Sequence, residues 1–257
     1  MKKKAIVYSA PALEKGLDIL EFLAAQPVGR SQAEIGAALQ RSQSEIYRML
    51  ACLEQRGYVV KVQQTGTYRL SLRMFELAHQ QNTTALLRQA ALLPMDAVAE
   101  EAGQSVHLSV QHGNDLLVMV ERMPTRHICL AVGEGTKLPL SETASGKVLL
   151  SRKTESAAAG ILEGDLFFQG TTAAKRREIL SEIAQARRDG LLMVSSEVTP
   201  GVRDIAVPVG VAGSDTDAVV DMSFILPAKN GDKLCEQYAK AMRACAAKIN
   251  QNLGVSA

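Results

Sequence analysis

The sequence predicts an α+β chain in two parts. A winged helix-turn-helix occupies residues 1–72, and a helical linker over 73–90 leads to a larger domain over 91–257 with an antiparallel sheet flanked by helices. Three observations carry that prediction. Two S-x-x-E motifs, Ser31 to Glu34 and Ser42 to Glu45, follow one another closely. Two β-rich runs joined by a Gly-containing turn, YVVKV and TYRL, come directly after them. Farther along, strand-like pairs around short turns are mixed unevenly with long helical patterns, which suits an antiparallel sheet with helices packed on it.

Taken in order, a first helix is expected from Ala12 to Ala25, with Leu13, Leu17, Leu20 and Phe22 among its apolar positions and Pro27 and Gly29 closing it. Each S-x-x-E is a capping box, in which hydroxyl and carboxylate satisfy the orphan N–H groups of a helix's first turn. Two such starts leave room for one short helix, a tight turn and a second helix. In the second, Ile46, Met49, Leu50 and Leu53 recur at helical spacing and should face a core, and Gly57 ends it. The hairpin across Gln63-Gln64-Thr65-Gly66 is then a wing.

SLRMFELAHQQNTTALL reads as helical, with Gln80 to Thr84 as a polar joint, and a long helix runs from Leu86 to Glu101 before Gly103. Pro94 inside it predicts a kink or a division into two. SVHLSV and LLVMVE flank His112-Gly113-Asn114-Asp115 as a hairpin. HICLAV is a third strand candidate, Gly133 to Pro139 a loop, and Ser141 or Thr143 the cap of a helix through Val148, Leu149 and Leu150. KRREILSEIAQARRDG is an amphipathic helix ended by Gly190. DIAVPVGVA and AVVDMSFIL bracket Gly213-Ser214-Asp215-Thr216 as another hairpin, and a final helix covers Asp232 to Asn252.

The second helix of such a capped pair can lie in a DNA major groove. Its outward face carries Gln43, Ser44, Tyr47 and Arg48 near the N-terminal end, groups suited to base edges and phosphates. Ser31, Gln32, Arg41 and Ser42 at the helix starts, with Lys61 on the wing, complete the candidate DNA-binding set. Charge agrees. Residues 1–82 hold 11 Lys and Arg against 7 Asp and Glu, a net of +4, and the remainder holds 18 against 20, a net of −2. Lys2, Lys3 and Lys4 read equally as an arm on the DNA backbone or as a solvated terminus. Double-stranded DNA is the implied partner.

At 257 residues, with 47% hydrophobic and 22% charged side chains, the chain has the composition of a globular protein with room for two domains. No apolar run approaches a membrane span and the Lys-rich start lacks a signal-peptide core, so a cytoplasmic location with no membrane partner is expected. Cys52, Cys129, Cys235 and Cys245 lack metal-ligand spacing and read as reduced thiols. His79, His107, His112 and His127 show no zinc spacing, and TASGK is no complete phosphate-binding loop. His107, Cys129 and Asp204 form no recognisable nucleophilic set, since nothing nearby in sequence activates the thiol. Neither catalysis, metal nor cofactor is expected. The second domain is more than DNA binding alone requires, which points to sensing.

In order along the chain, LEKGLDILEFLA, SEIYRMLACLEQRGYV, TGTYRLSLRMFELA, GQSVHLSV, LPLSETASGKVLLS and GVRDIAVPV resemble successive segments of the IclR family of bacterial transcription regulators. The resemblance implies a winged helix-turn-helix and a GAF-like effector-binding domain. It also implies a homodimer or homotetramer on a pseudo-palindromic operator, controlled by a small organic acid. Two-fold symmetry then demands half-sites one helical turn, or multiples of one, apart.

Carried over position by position, the effector site falls on Ala144, Ser145 and Gly146 after the Pro-Leu pair, with Asp204 and Ser223. A helix N-terminus suits a carboxylate through its unpaired N–H groups and positive dipole end. The same small residues would equally serve close packing on the sheet. Two positions depart from the family pattern: Asp204 stands where Cys is usual, and Ile225 where a second Ser often follows Ser223. An ionised Asp204 in the pocket would repel a dicarboxylate unless Arg203 or a cation compensates. It could accept hydrogen bonds from a hydroxyl or amine, while Ile225 would add apolar surface. A surface-facing or structurally paired Asp204 is the other open reading.

Overall fold

The computed structural model describes residues 9–79, 82–125, 129–197, 199–226 and 231–255. Two compact units emerge, Met1–Gln81 and Asn82–Ala257. The Lys2–Lys4 arm lies outside the described residues.

In the first unit, α1 (Pro11–Ala24), α2 (Gln32–Ala38) and α3 (Gln43–Gln55) precede the hairpin of β1 (Val59–Val62) and β2 (Thr67–Leu70), and α4 (Arg73–His79) follows. Pro11 sits in the first turn of α1, where its missing N–H costs nothing. Both predicted capping boxes are complete, with Ser31 and Glu34 closing the start of α2 and Ser42 and Glu45 that of α3. Ile19, Leu23, Ile35, Ile46, Leu50, Val59 and Tyr68 form the core. At roughly 1.5–3 kcal/mol for each large apolar side chain buried, this core rather than helix propensity holds the short helices. Reciprocal hydrogen bonds between Arg30 and Tyr68, at 2.9 and 2.7 Å, pin the wing to the segment before α2. Lys15 Nζ, 2.6 Å from Glu45 Oε1, ties α1 to the start of α3.

The second unit opens with α5 (Asn82–Ala102), which continues through Pro94 as one helix. A six-stranded antiparallel sheet follows, in the order β5-β4-β3-β8-β7-β6. Its strands are β3 (Val106–His112), β4 (Asp115–Arg122), β5 (Lys137–Pro139), β6 (Leu192–Ser195), β7 (Val202–Val209) and β8 (Ala218–Ile225). Between β5 and β6 run α6 (Ala144–Ser151), α7 (Glu155–Gly164), α8 (Leu166–Gly170) and α9 (Ala173–Asp189), and α10 (Gly231–Asn252) closes the chain.

Strand alternation gives the sheet two working faces. Val106, Leu108, Val120, Ile205, Val207, Val220, Met222 and Phe224 pack against α5 and α10. Phe224 meets Tyr238 of α10 edge-on, with ring centroids 4.9 Å apart, and the Tyr238 hydroxyl donates to the Ala102 carbonyl at the end of α5. The other face packs against α6, α7 and α9 through Leu116, Leu149, Leu162, Ile179, Leu192 and Val219. A bulge at Leu108/Ser109 pairs Leu108 with Val120 but Ser109 with Val118. That irregularity lets Val118 and Val120, two residues apart, face opposite sides of the sheet.

Both predicted hairpins of this unit form. The expected third strand does not appear over its described part. Arg126 to Ile128 lie outside the described residues, and 129–132 run as irregular chain. The edge strand is Lys137–Pro139 instead, inside the segment expected to be a loop, because its pairing partner is the 115–117 end of β4. The sequence reading also passed over α7, α8 and β6.

Candidate functional site

Two sites take shape, one in each unit. In the first, α3 presents Gln43, Ser44, Tyr47 and Arg48 on its exposed side, opposite the buried Ile46 and Leu50. Tyr47 is 59% exposed, and Arg48 makes no ion pair among the described residues. Lys61 is exposed on the wing, its Nζ 5.5 Å from the Tyr68 ring centroid. Exposed Arg41 stands 3.7 Å from half-buried Asp18.

Ser31, Gln32 and Ser42, also in the expected DNA-binding set, make local contacts at the helix starts. The Ser31 hydroxyl bonds Glu34, and the Ser42 hydroxyl bonds Glu45. The Gln32 side chain donates to the Gln43 carbonyl at 2.9 Å, fastening α2 to the start of α3. Lys15 and the Ser42 cap hold the Glu45 carboxyl at a pKa of about 2. Sequence reasoning missed Lys15, whose partner lies thirty residues away.

The second site is a cavity of about 130 Å³ between the sheet and the start of α6. His107, Ser109, Leu116, Val118, Asp204, Asp221 and Ser223 rise from the sheet, Thr143, Ala144 and Ser145 come from α6 and its cap, and 130–132 with Ser196 and Thr199 close the rim. Four of the five predicted effector residues are thus together. Gly146 does not line the cavity but packs beneath it, where an added Cβ would lie 2.1 Å from the Leu140 carbonyl oxygen. Asp204 lines the cavity and is also paired with Ser223, so it is not surface-facing, and the structurally paired alternative stays open.

Two expectations fail. Ile225, 65% exposed as the last residue of β8, does not line the cavity. Arg203 pairs with Phe224 on the opposite face and cannot balance Asp204.

Thr143 caps α6, its hydroxyl accepting from the Gly146 N–H at 3.0 Å. The Ala144 and Ser145 N–H groups have no hydrogen-bond partner among the described residues, leaving the positive end of the helix open to the cavity. Across from it, the Ser223 hydroxyl donates to Asp204 Oδ1 at 2.7 Å. Burial pushes the Asp204 carboxyl above the ordinary carboxylate range, opposed by the Ser223 and Ser196 hydroxyls and reinforced by Asp221.

His107 is buried, with Nδ1 3.3 Å from Asp221 Oδ2 and Nε2 accepting from the Val132 N–H at 3.1 Å. Glu121 Oε1 stands 3.7 Å from Nε2. Burial disfavours the imidazolium, but Asp221, Glu121 and Asp204 outweigh it and raise the pKa above its ordinary value. Sequence reasoning also missed Asp221, Glu121 and Lys147. Lys147 has no exposed surface and its Nζ lies 2.8 Å from Glu182 Oε2, at an angle outside hydrogen-bond geometry, so the contact is an ion pair. No helix among the described residues is long and apolar enough to cross a membrane.

Comparison with known proteins agrees with both units. Residues 12–63 match the IclR helix-turn-helix domain, and residues 79–251 match the bacterial transcriptional regulator IclR C-terminal domain. The HTH-type transcriptional regulator XynR of Escherichia coli (strain K12) is 27% identical over 249 residues, covering 96% of this chain and 98% of the relative. The E. coli regulator KdgR is 26% identical over 224 residues, covering 86% of this chain and 84% of its own length. In fold, the chain is similar to an IclR homolog from Microbacterium hydrocarbonoxydans crystallised with 4-hydroxybenzoate, with a TM-score of 0.76, 20% identity and coverage of 95% and 100%. The Thermotoga maritima IclR gives a TM-score of 0.71 at 22% identity, covering 94% and 98%. With family matches spanning both units, the chain belongs to the IclR family of bacterial transcriptional regulators, DNA-binding proteins that act through a helix-turn-helix.

Proposed function

We propose that this regulator reads its operator with Gln43, Ser44, Tyr47, Arg48 and Lys61, and that a small organic acid in the cavity beside α6 sets its operator affinity. The observation that supports this most is the cavity itself. It is a partly open cleft, polar on one wall, and holds two unpartnered helix N–H groups where a carboxylate would bind. A Microbacterium homolog of the same fold was crystallised with 4-hydroxybenzoate, which favours a carboxylate-bearing effector here too. His107 is held at both ring nitrogens by protein groups, which fixes it as part of the cavity wall.

The regulator acts as a homodimer or homotetramer on a pseudo-palindromic site. An effector that prefers one arrangement of the reading heads shifts the population toward it. The segment 73–90 is the proposed coupler between the domains.

Fluorescence anisotropy on promoter-proximal DNA, with random DNA as reference and salt as the variable, tests the reading head. Arg48→Ala should weaken binding to both DNAs and flatten the salt slope by about 1. Gln43→Ala or Ser44→Ala should cost about 1–3 kcal/mol on the specific site only. Equal losses on both DNAs for all three variants would contradict this division of labour.

A further inference from the structure

The walls of the cavity carry opposite electrical characters. At the α6 side stand the open Ala144 and Ser145 N–H groups. At the sheet side stand two carboxylates, Asp204 and Asp221, with Glu121 just behind His107. His107 alone answers these acids from within the lining. Lys147 is already committed to Glu182, and Arg203 is on the far face. The sheet wall thus holds two carboxyl groups, with a third behind it, against one imidazole.

Acceptor capacity is also left over. Asp204 receives the Ser223 hydroxyl and Asp221 the His107 ring, while a carboxylate can accept about four hydrogen bonds. Ser109, with no exposed surface, lines the same wall, and its hydroxyl has no partner. An unsatisfied buried hydroxyl is costly, and its place in the lining marks where a ligand atom would complete it. A neutral hydroxyl on the ligand would fill the hydrogen bonds but leave the charge unanswered. An ammonium supplies three donors and the missing positive charge together.

Resting on the effector reading above, we propose that the cavity takes a small zwitterion, an aliphatic α-amino acid. Its carboxylate sits at the start of α6 and its ammonium against Asp204, Asp221 and Ser109. A cavity of about 130 Å³ is near the size, ~150 Å³, that holds one six-carbon ring. A ligand of about six to eight non-hydrogen atoms therefore fits without opening the sheet.

Alanine, lactate and isobutyrate place an ammonium, a hydroxyl and a methyl group on one carboxylate skeleton. Their binding to the full chain, measured by calorimetry and thermal shift, separates the possibilities. Alanine should bind at least about tenfold tighter than the other two, as expected for a desolvated charge-assisted contact. Asp204→Asn should bring alanine down to the affinity of lactate, and Asp204→Glu, which keeps the charge, should retain the preference for alanine. Lactate or isobutyrate binding as tightly as alanine overturns the ammonium assignment and leaves the effector reading intact. Failure of alanine to bind overturns the amino-acid assignment, and the effector reading falls with it only if 4-hydroxybenzoate and the other two acids also leave the melting temperature unchanged.

Discussion

A fully buried lysine needs a counter-charge, and for Lys147 that is Glu182 across the α6–α9 contact. Removing the amine while leaving the carboxylate strands a charge in the interior. Lys147→Ala should therefore destabilise the effector unit by about 3–5 kcal/mol, measured by urea denaturation, whereas Lys147→Met with Glu182→Leu should recover most of the loss. His107 makes a prediction about pH. Its folded pKa is raised above 6.5, so the folded state binds the extra proton. The stability this contributes is complete below pH 6.5 and is lost as pH rises through the folded value. Urea denaturation at about pH 6 and about pH 8 should show a loss of stability in the wild type that His107→Gln reduces; an unchanged loss would discount the carboxylates around the ring. Neither residue was legible as a site member. Lys147 sits in a helix with no sequence-local partner, and the partners of His107 lie on other strands. Asp204 was legible only through the family resemblance, because nothing in its own strand shows which face it takes.

The elements were more legible than the residues, because their signals are local. Caps, Gly-containing turns and alternating strands each act over a few positions. Ser42 and Glu45 illustrate this: the pair was visible as S-x-x-E and stands as a closed capping box. Ser42→Ala should cost about 1 kcal/mol in the first unit, read from its unfolding midpoint. The depressed pKa of Glu45, about 2, means that the stabilisation from this cap and Lys15 is present above pH 4.5 and is lost as pH falls through the folded value. The same local logic failed for β5. HICLAV has strand-like composition, yet pairing with β4 was decided downstream by the Lys137–Pro139 segment. Periodicity describes a strand and does not name its partner. Ile225 fails for a related reason: its alternation points toward the cavity side, but β8 ends there and the side chain meets solvent.

At the scale of the whole molecule, the family match explains why a reading head and a polar cavity occur in one chain. The α7–α9 layer could not be placed from sequence, since nothing local says which sheet face a helix covers. In the proposed mechanism, occupancy of the cavity sets DNA affinity. Val118, buried on the cavity wall, offers a direct test, because Val118→Phe fills the space with an apolar side chain and leaves the first unit untouched. The decisive measurement is the Kd for promoter-proximal DNA with and without a saturating small carboxylate effector, in wild type and Val118→Phe. The wild type should respond by about 5–150-fold and the variant not at all, with the variant still binding DNA. An equal response in both proteins, or none in the wild type, would contradict the mechanism.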